Sequence, residues 1–113
     1  MRKTPLASLE RQYERLRLSL ARIGYISQGS ALDRSTLKSP RTGYQWTRKV
    51  ARKTITVALS PQQFHALDQA VRNRQLLNKT LQQMEKISRQ IIFTSLPDTR
   101  RRKHLPRKVL GLN

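Results

Sequence analysis

Ser60-Pro61-Gln62-Gln63 opens a helix, and nothing in the sequence stops it for some thirty residues. Serine caps a first turn, and proline takes the first helical position without losing a hydrogen bond. Gln63 can reach back to the cap, as in a capping box. Phe64, Leu67, Val71, Leu77, Leu81, Met84, Ile87 and Ile91 then recur at helical spacing. Arg74 interrupts the stripe, where its stem can still cover apolar surface. The spacing predicts a helix from Pro61 to about Phe93, roughly 33 residues and ~50 Å at 1.5 Å per residue. A chain of 113 residues has one modest core, too short to cover such a helix. Either another helix of the same chain lies along it, or another chain does.

A partner helix is present. Thr4-Pro5 reads as a cap and first helical position, followed by Leu6, Leu9, Tyr13, Leu16, Leu20 and Ile23 on one stripe. Gly24 is a natural stop, so this helix covers about residues 5–23. Arg11, Arg15 and Arg22 fall on another face, with Glu10 and Glu14 as local partners.

Between the helices the pattern changes. Residues 25–43 hold the turn signals Gly29-Ser30, Ser39-Pro40 and Thr42-Gly43, with room for a short strand around Ala31–Arg34. Residues 44–59 read as a hairpin of β-branched and aromatic residues. Alternation sets Tyr44, Trp46 and Arg48 on one face of the first arm, opposite in direction to Gln45, Thr47 and Lys49. On the second arm Ile55, Val57 and Leu59 point one way, and Thr54, Thr56 and Ala58 the other. The turn falls near Ala51-Arg52-Lys53, which lacks the Asn-Gly or Asp-Gly that a two-residue turn prefers. A hairpin alone is marginal in water and must pack on a helix or a third strand. The expected fold is α+β: an N-terminal helix, a small hairpin-centred antiparallel sheet, a long second helix and an extended basic tail. Residues 1–93 form one helix-hairpin-helix domain, and 94–113 form the tail, where Pro97 and Pro106 break any helix.

Charge carries the functional argument. The chain has 24 Lys+Arg against 6 Asp+Glu, a net charge of +18. Like charges repel in a compact state, and a polyanion relieves the repulsion. The excess is spread through the chain: every stretch, from the first helix to the tail, carries more cations than acids. This is no neutral domain with a basic tag, and nucleic acid is the partner it points to. The cations surround the fold and do not arm a single recognition helix, which favours RNA over DNA.

Other chemistry is scarce. With no cysteine there is no disulfide and no thiolate site, and two distant histidines, His65 and His104, do not make a zinc site. No glycine-rich phosphate loop occurs. The six acids offer no pair set for acid–base work; Glu10 and Glu14 read as charge relief one turn apart. The expectation is a protein without catalytic residues, metal or cofactor. No apolar run reaches the ~20 residues a membrane span needs. The start Met1-Arg2-Lys3-Thr4-Pro5 lacks a signal-type apolar stretch, so the expected location is cytoplasmic.

Two constellations are the candidate contact sites. In the hairpin, Tyr44, Trp46, Arg48 and Lys49, then Arg52 and Lys53, interleave rings with cations, with Arg41 just before them. Rings offer stacking platforms and cations neutralise phosphate. Trp46 and Tyr44 admit a second reading as core, since a chain with six aromatics has little else to fill one. In the tail, Arg100, Arg101, Arg102, Lys103, Arg107 and Lys108 suit phosphate contact without base readout.

The stretch Gly43-Tyr44-Gln45-Trp46-Thr47-Arg48-Lys49-Val50, followed by Lys53-Thr54-Ile55-Thr56 and Leu59-Ser60-Pro61-Gln62-Gln63, resembles an uncharacterised family of small basic bacterial proteins. That family's pattern has an N-terminal helix ending in Ile-Gly and a Gly-Ser strand start. A Cys-rich segment, a Gly-Pro-Tyr-Tyr-x-Trp hairpin with a Gly-Lys-Thr turn, and a Leu-Ser-Pro-Glu-Gln helix start follow. Ile23-Gly24 and Gly29-Ser30 match its first two signals, and the resemblance spans about residues 5–93. Its members often lie near transposases and other mobile-element genes, which implies nucleic-acid work. The Cys-rich segment is replaced here by Ser35–Thr42, so a metal role does not carry over, and the turn glycine has given way to the neighbourhood of Arg52.

The function expected is a non-catalytic accessory protein that binds the phosphate backbone of structured RNA or a duplex, as a subunit of a mobile-element or RNA-guided ribonucleoprotein. The alternatives are a ribosome-associated protein, and a DNA-binding regulator or adaptor that homodimerises through the long helix.

Overall fold

The computed structural model describes residues 4–96 and 106–112. The order is α1 (Leu6–Leu20), β1 (Ser30–Asp33), a 3₁₀ turn (Arg34–Thr36), β2 (Tyr44–Val50), β3 (Lys53–Leu59), α2 (Pro61–Ser95) and α3 (Arg107–Leu110). The fold is α+β, as the sequence pattern requires. The chain gathers into two compact units, Ile23–Leu77 and, separately, Met1–Arg22 with Asn78–Asn113.

In the second of these, α1 packs with the C-terminal half of α2. Leu9 is its most buried residue at 4 % exposed, with Thr80 and Met84 also buried, while Tyr13, Leu16 and Leu20 are half-buried on the expected stripe. Two local expectations are corrected. Thr4 does not cap α1: Pro5 stands at the N-cap with no side-chain cap, and its carbonyl accepts from Ser8 and Leu9. The helix also ends at Leu20 and not at Ile23, because Ala21 and Arg22 donate back to Leu18 and Ser19, tightening the last turn. On α2, Leu81 is 40 % exposed and Thr80 takes the buried position beside it. The tail brings a further correction. Over 107–110 it is one turn of helix, with Pro106 at the N-cap and Gly111 in the left-handed conformation as the stop. Leu112 N–H donates to Arg107 O and Gly111 N–H to Lys108 O, closing the helix in a Schellman pattern.

The unit 23–77 holds the sheet and the first half of α2. The three strands are antiparallel in the order β1-β2-β3. The capping box at the start of α2 forms as the sequence predicts: Gln63 N–H donates to Ser60 Oγ at 3.1 Å, and Ser60 N–H to Gln63 Oε1 at 2.9 Å. Segment 25–27 is tied to α2 by Asn73 Nδ2 donating to Tyr25 O (2.8 Å) and Ser27 N–H donating to Ala70 O (3.1 Å). The third strand and the helix supply the packing that the hairpin alone lacks.

Candidate nucleic-acid interface

The hairpin is built from a register with no bulge. Tyr44 faces Leu59, Trp46 faces Val57, Arg48 faces Ile55, and Val50 faces Lys53. These eight side chains share one side of the sheet, and Gln45, Thr47, Lys49, Thr54, Thr56 and Ala58 share the other. The turn is the two residues Ala51 and Arg52, at φ 48° and 68°. Both lie in the left-handed region, which makes a type I′ turn, the form whose twist matches the flanking strands. Neither residue is glycine or asparagine, so the turn stores on the order of 1 kcal/mol of strain at each position.

That geometry sets Arg52 at the apex, with Lys49 and Lys53 beside it on opposite faces. All three are exposed. The acids of this unit are Asp33 and Asp68, and both are engaged elsewhere. Asp33 accepts from Ser35 N–H at 2.9 Å, and Asp68 pairs with Arg72 at 3.2 Å. The tip therefore carries three cations and no acid. Arg48 lies next to it, half-buried, its guanidinium carbon 5.5 Å from the centre of the Trp46 ring. Arg48 Nε is buried without a hydrogen-bond partner among the described residues.

The two rings serve the base of the hairpin. Tyr44 stacks on Phe64 of α2, centroids 4.4 Å apart at 20°, so one of its faces is taken. Trp46 donates its indole N–H to Gln28 O at 2.9 Å. Its ring lies against Gly29, where an added Cβ would stand 2.6 Å from Trp46 Nε1 and 2.4 Å from Thr47 O. Both rings are half-buried.

The remaining candidates scatter. Arg41 is exposed in the loop before β2, roughly 20 Å along the strand from the tip. Its N–H donates to Arg34 O, and Arg34 Nε reaches Gln45 Oε1 at 3.3 Å. Arg107 and Lys108 are exposed on α3, in the other unit; Arg107 Nη2 donates to Leu112 O, closing its own helix. Arg100, Arg101, Arg102 and Lys103 lie outside the described residues.

The helices also form a groove that apolar spacing alone does not announce. Gln12, Arg15, Leu16, Gln83, Lys86, Ile87 and Gln90 line an open groove of about 520 Å³ between α1 and α2. Two cations and three amides make it a second polar, positive surface. The signal was the spacing of Gln83, Lys86 and Gln90, which continue one face of α2 beside Ile87.

Among the described residues, no three His, Asp or Glu side chains gather as metal ligands, and no helix is long and apolar enough to cross a membrane. No protein-family model, curated protein or solved structure matches the chain.

Proposed function

We propose that this protein is a non-catalytic nucleic-acid-binding accessory protein whose hairpin tip grips the phosphate backbone of structured RNA or a duplex. One observation carries the reading. Arg52 occupies a left-handed turn position that glycine would hold more cheaply, at the apex of a tip that bears Lys49 and Lys53 and no acid. Strain kept at an exposed cation is accounted for by what the cation contacts. Phosphate contact asks for a projecting, flexible positive group, and a hairpin end delivers one into a groove. RNA is favoured over DNA, because the cations are spread over both units and do not arm a single recognition helix. The resemblance of residues 5–93 directs the search for its assembly to mobile-element or RNA-guided ribonucleoproteins.

Binding of an RNA hairpin and of a DNA duplex, followed by fluorescence anisotropy across a salt series, tests the reading. Affinity falls steeply with salt. The triple variant Lys49→Ala, Arg52→Ala, Lys53→Ala lowers the log–log salt slope by about 2–3, alike for all sequences. A flat salt response of the native protein, or a triple variant with the native slope, removes the proposal.

A further inference from the structure

Three features stand out beyond the tip: the groove between α1 and α2, the seat of α3 on Arg89, and the free edge of β3. The groove's cations extend the reading already made, and α3 is a single turn closed by its own residues. The edge of β3 carries more.

We infer that β3 pairs antiparallel with β3 of a second copy of this chain, joining the two sheets into one of six strands. A two-residue I′ turn closes on a hydrogen-bonded pair, here Val50 and Lys53. Along an antiparallel ladder bonded pairs alternate with non-bonded ones. Lys53, Ile55, Val57 and Leu59 therefore bond to β2, and Thr54, Thr56 and Ala58 turn their N–H and C=O groups outward. Among the described residues no strand pairs with them: β3 is the last strand of the sheet, and every residue from Lys53 to Ala58 is exposed. Ile55 and Val57 are 37 % and 42 % exposed on one face. Soluble proteins blunt such edges with proline, bulges, inward charges or short length. β3 has seven residues, no proline and an unbroken register, and its one charge is at the turn end. The other edge, β1, is only four residues long.

The charge pattern selects the occupant. In a chain of net charge +18, residues 54–59 carry no charge at all. Past Lys53 an acidic peptide finds no cation along this strand to answer it, and a phosphate backbone finds only neutral amides and the Thr54 and Thr56 hydroxyls. A neutral β-branched strand finds its match in a copy of itself. Turned about Thr56, antiparallel pairing sets Ile55 opposite Val57 of the second copy, Thr54 opposite Ala58, and Lys53 opposite Leu59. Parallel pairing would stack Lys53 on Lys53. The contact is isologous, so it closes at a dimer. One strand edge buries less than a standard interface of about 1,600 Å², and the two copies repel, so the dimer is weak and grows stronger as salt screens the charge. The inference rests on strand geometry and stands apart from the nucleic-acid reading.

The test uses the full chain freed of nucleic acid. Sedimentation across a concentration series, in about 0.1 M and about 1 M salt, reads a mass shifting from 13.2 kDa toward twice that value, further at the higher salt. Thr56→Pro removes an outward N–H that no strand of the same chain uses, a place where an edge strand tolerates proline. It abolishes the shift with an unchanged circular dichroism spectrum. Thr56→Cys supplies the only thiol in the chain, at the two-fold axis, where paired Cα atoms stand about 5.5 Å apart, within reach of a disulfide. It oxidises to a covalent dimer, whereas Ser8→Cys on α1 does not. A mass fixed at 13.2 kDa under all conditions overturns the inference. So does a dimer that survives Thr56→Pro, or one that cross-links no better at Thr56→Cys than at Ser8→Cys. Should Thr56→Pro unfold the protein, the cross-linking comparison decides alone.

Discussion

The two ends of the β2–β3 hairpin are held in opposite ways. At the base, tertiary contacts do the holding: Tyr44 stacks on Phe64, Trp46 donates to Gln28 O, and Gly29 makes room beneath the indole. At the tip, among the described residues, the local backbone holds Ala51 and Arg52, and it does so against their preference. A chain with few aromatics places its hairpin rings where they anchor the sheet and leaves cations where they project. On the proposed reading, the difference assigns stability and binding to separate ends of one element. Substitutions at the base should move stability, and those at the tip should move binding.

Gly29→Ala is the strongest challenge to that division. Gly29 sits at φ +98°, and the new Cβ would meet the Thr47 carbonyl at 2.4 Å and the indole nitrogen at 2.6 Å. The backbone cannot yield without breaking the pairing of Ser30 with Thr47. We expect a loss of about 3 kcal/mol in urea unfolding, from the left-handed conformation and the clash together. Folded Gly29→Ala protein should still bind nucleic acid with the native salt slope. A native midpoint for this variant would mean that the base is not anchored as described.

At the tip the expected sign reverses. Arg52→Gly relieves a left-handed non-glycine residue and should raise stability by roughly 0.5–1 kcal/mol, while nucleic-acid affinity falls. Ala51→Asn relieves the neighbouring strain by about 0.5 kcal/mol and leaves affinity as it was, since no charge is lost. The pair separates strain from charge. If Arg52→Gly stabilised the protein with undiminished binding, the cation at the apex would have no role and the strain no account.

Much of this architecture is legible in the residues themselves. Both long helices, the faces of the hairpin and the capping box at Ser60 follow from spacing and capping chemistry, which are local and strong. What spacing could not supply were the contacts made across long sequence separations. Tyr44 and Trp46 have residue types that fit a core and a stacking platform equally well. Only the positions of Phe64 and Gln28, set by the fold, decide how their edges and faces are used. Thr80 displaced Leu81 from the buried face because the stripe drifts over a helix this long, and a three-or-four spacing does not choose between neighbours. The I′ turn was located but its conformation was not, because Ala-Arg lacks the residues that announce one. The single turn of α3 fell below any periodic signal, although Gly111 marks its end.

The smallest expected effect sharpens the comparison from the side of pH. Asp33 ends β1 at the base, where its register partner is Tyr44, and caps the 3₁₀ turn that follows. The Ser35 backbone N–H, seconded by the Ser35 hydroxyl, holds the Asp33 carboxyl below its ordinary value. A depressed folded value means that the carboxylate adds stability above the unfolded value of about 3.9. That contribution drains away as pH falls through the lower, folded value. The group is open to solvent, so the effect is slight. Asp33→Asn keeps an acceptor for Ser35 N–H but has nothing to titrate. The urea midpoint of the native protein should therefore fall toward that of Asp33→Asn as the pH drops below about 4, with the two profiles running parallel above it. Amide exchange at Ser35 should quicken over the same range, while the gain from Arg52→Gly stays constant, because no acid lies at the tip. Profiles that never converge would show that the Asp33 charge does not support the base, and a tip gain that varied with acid would show that the two ends are coupled after all.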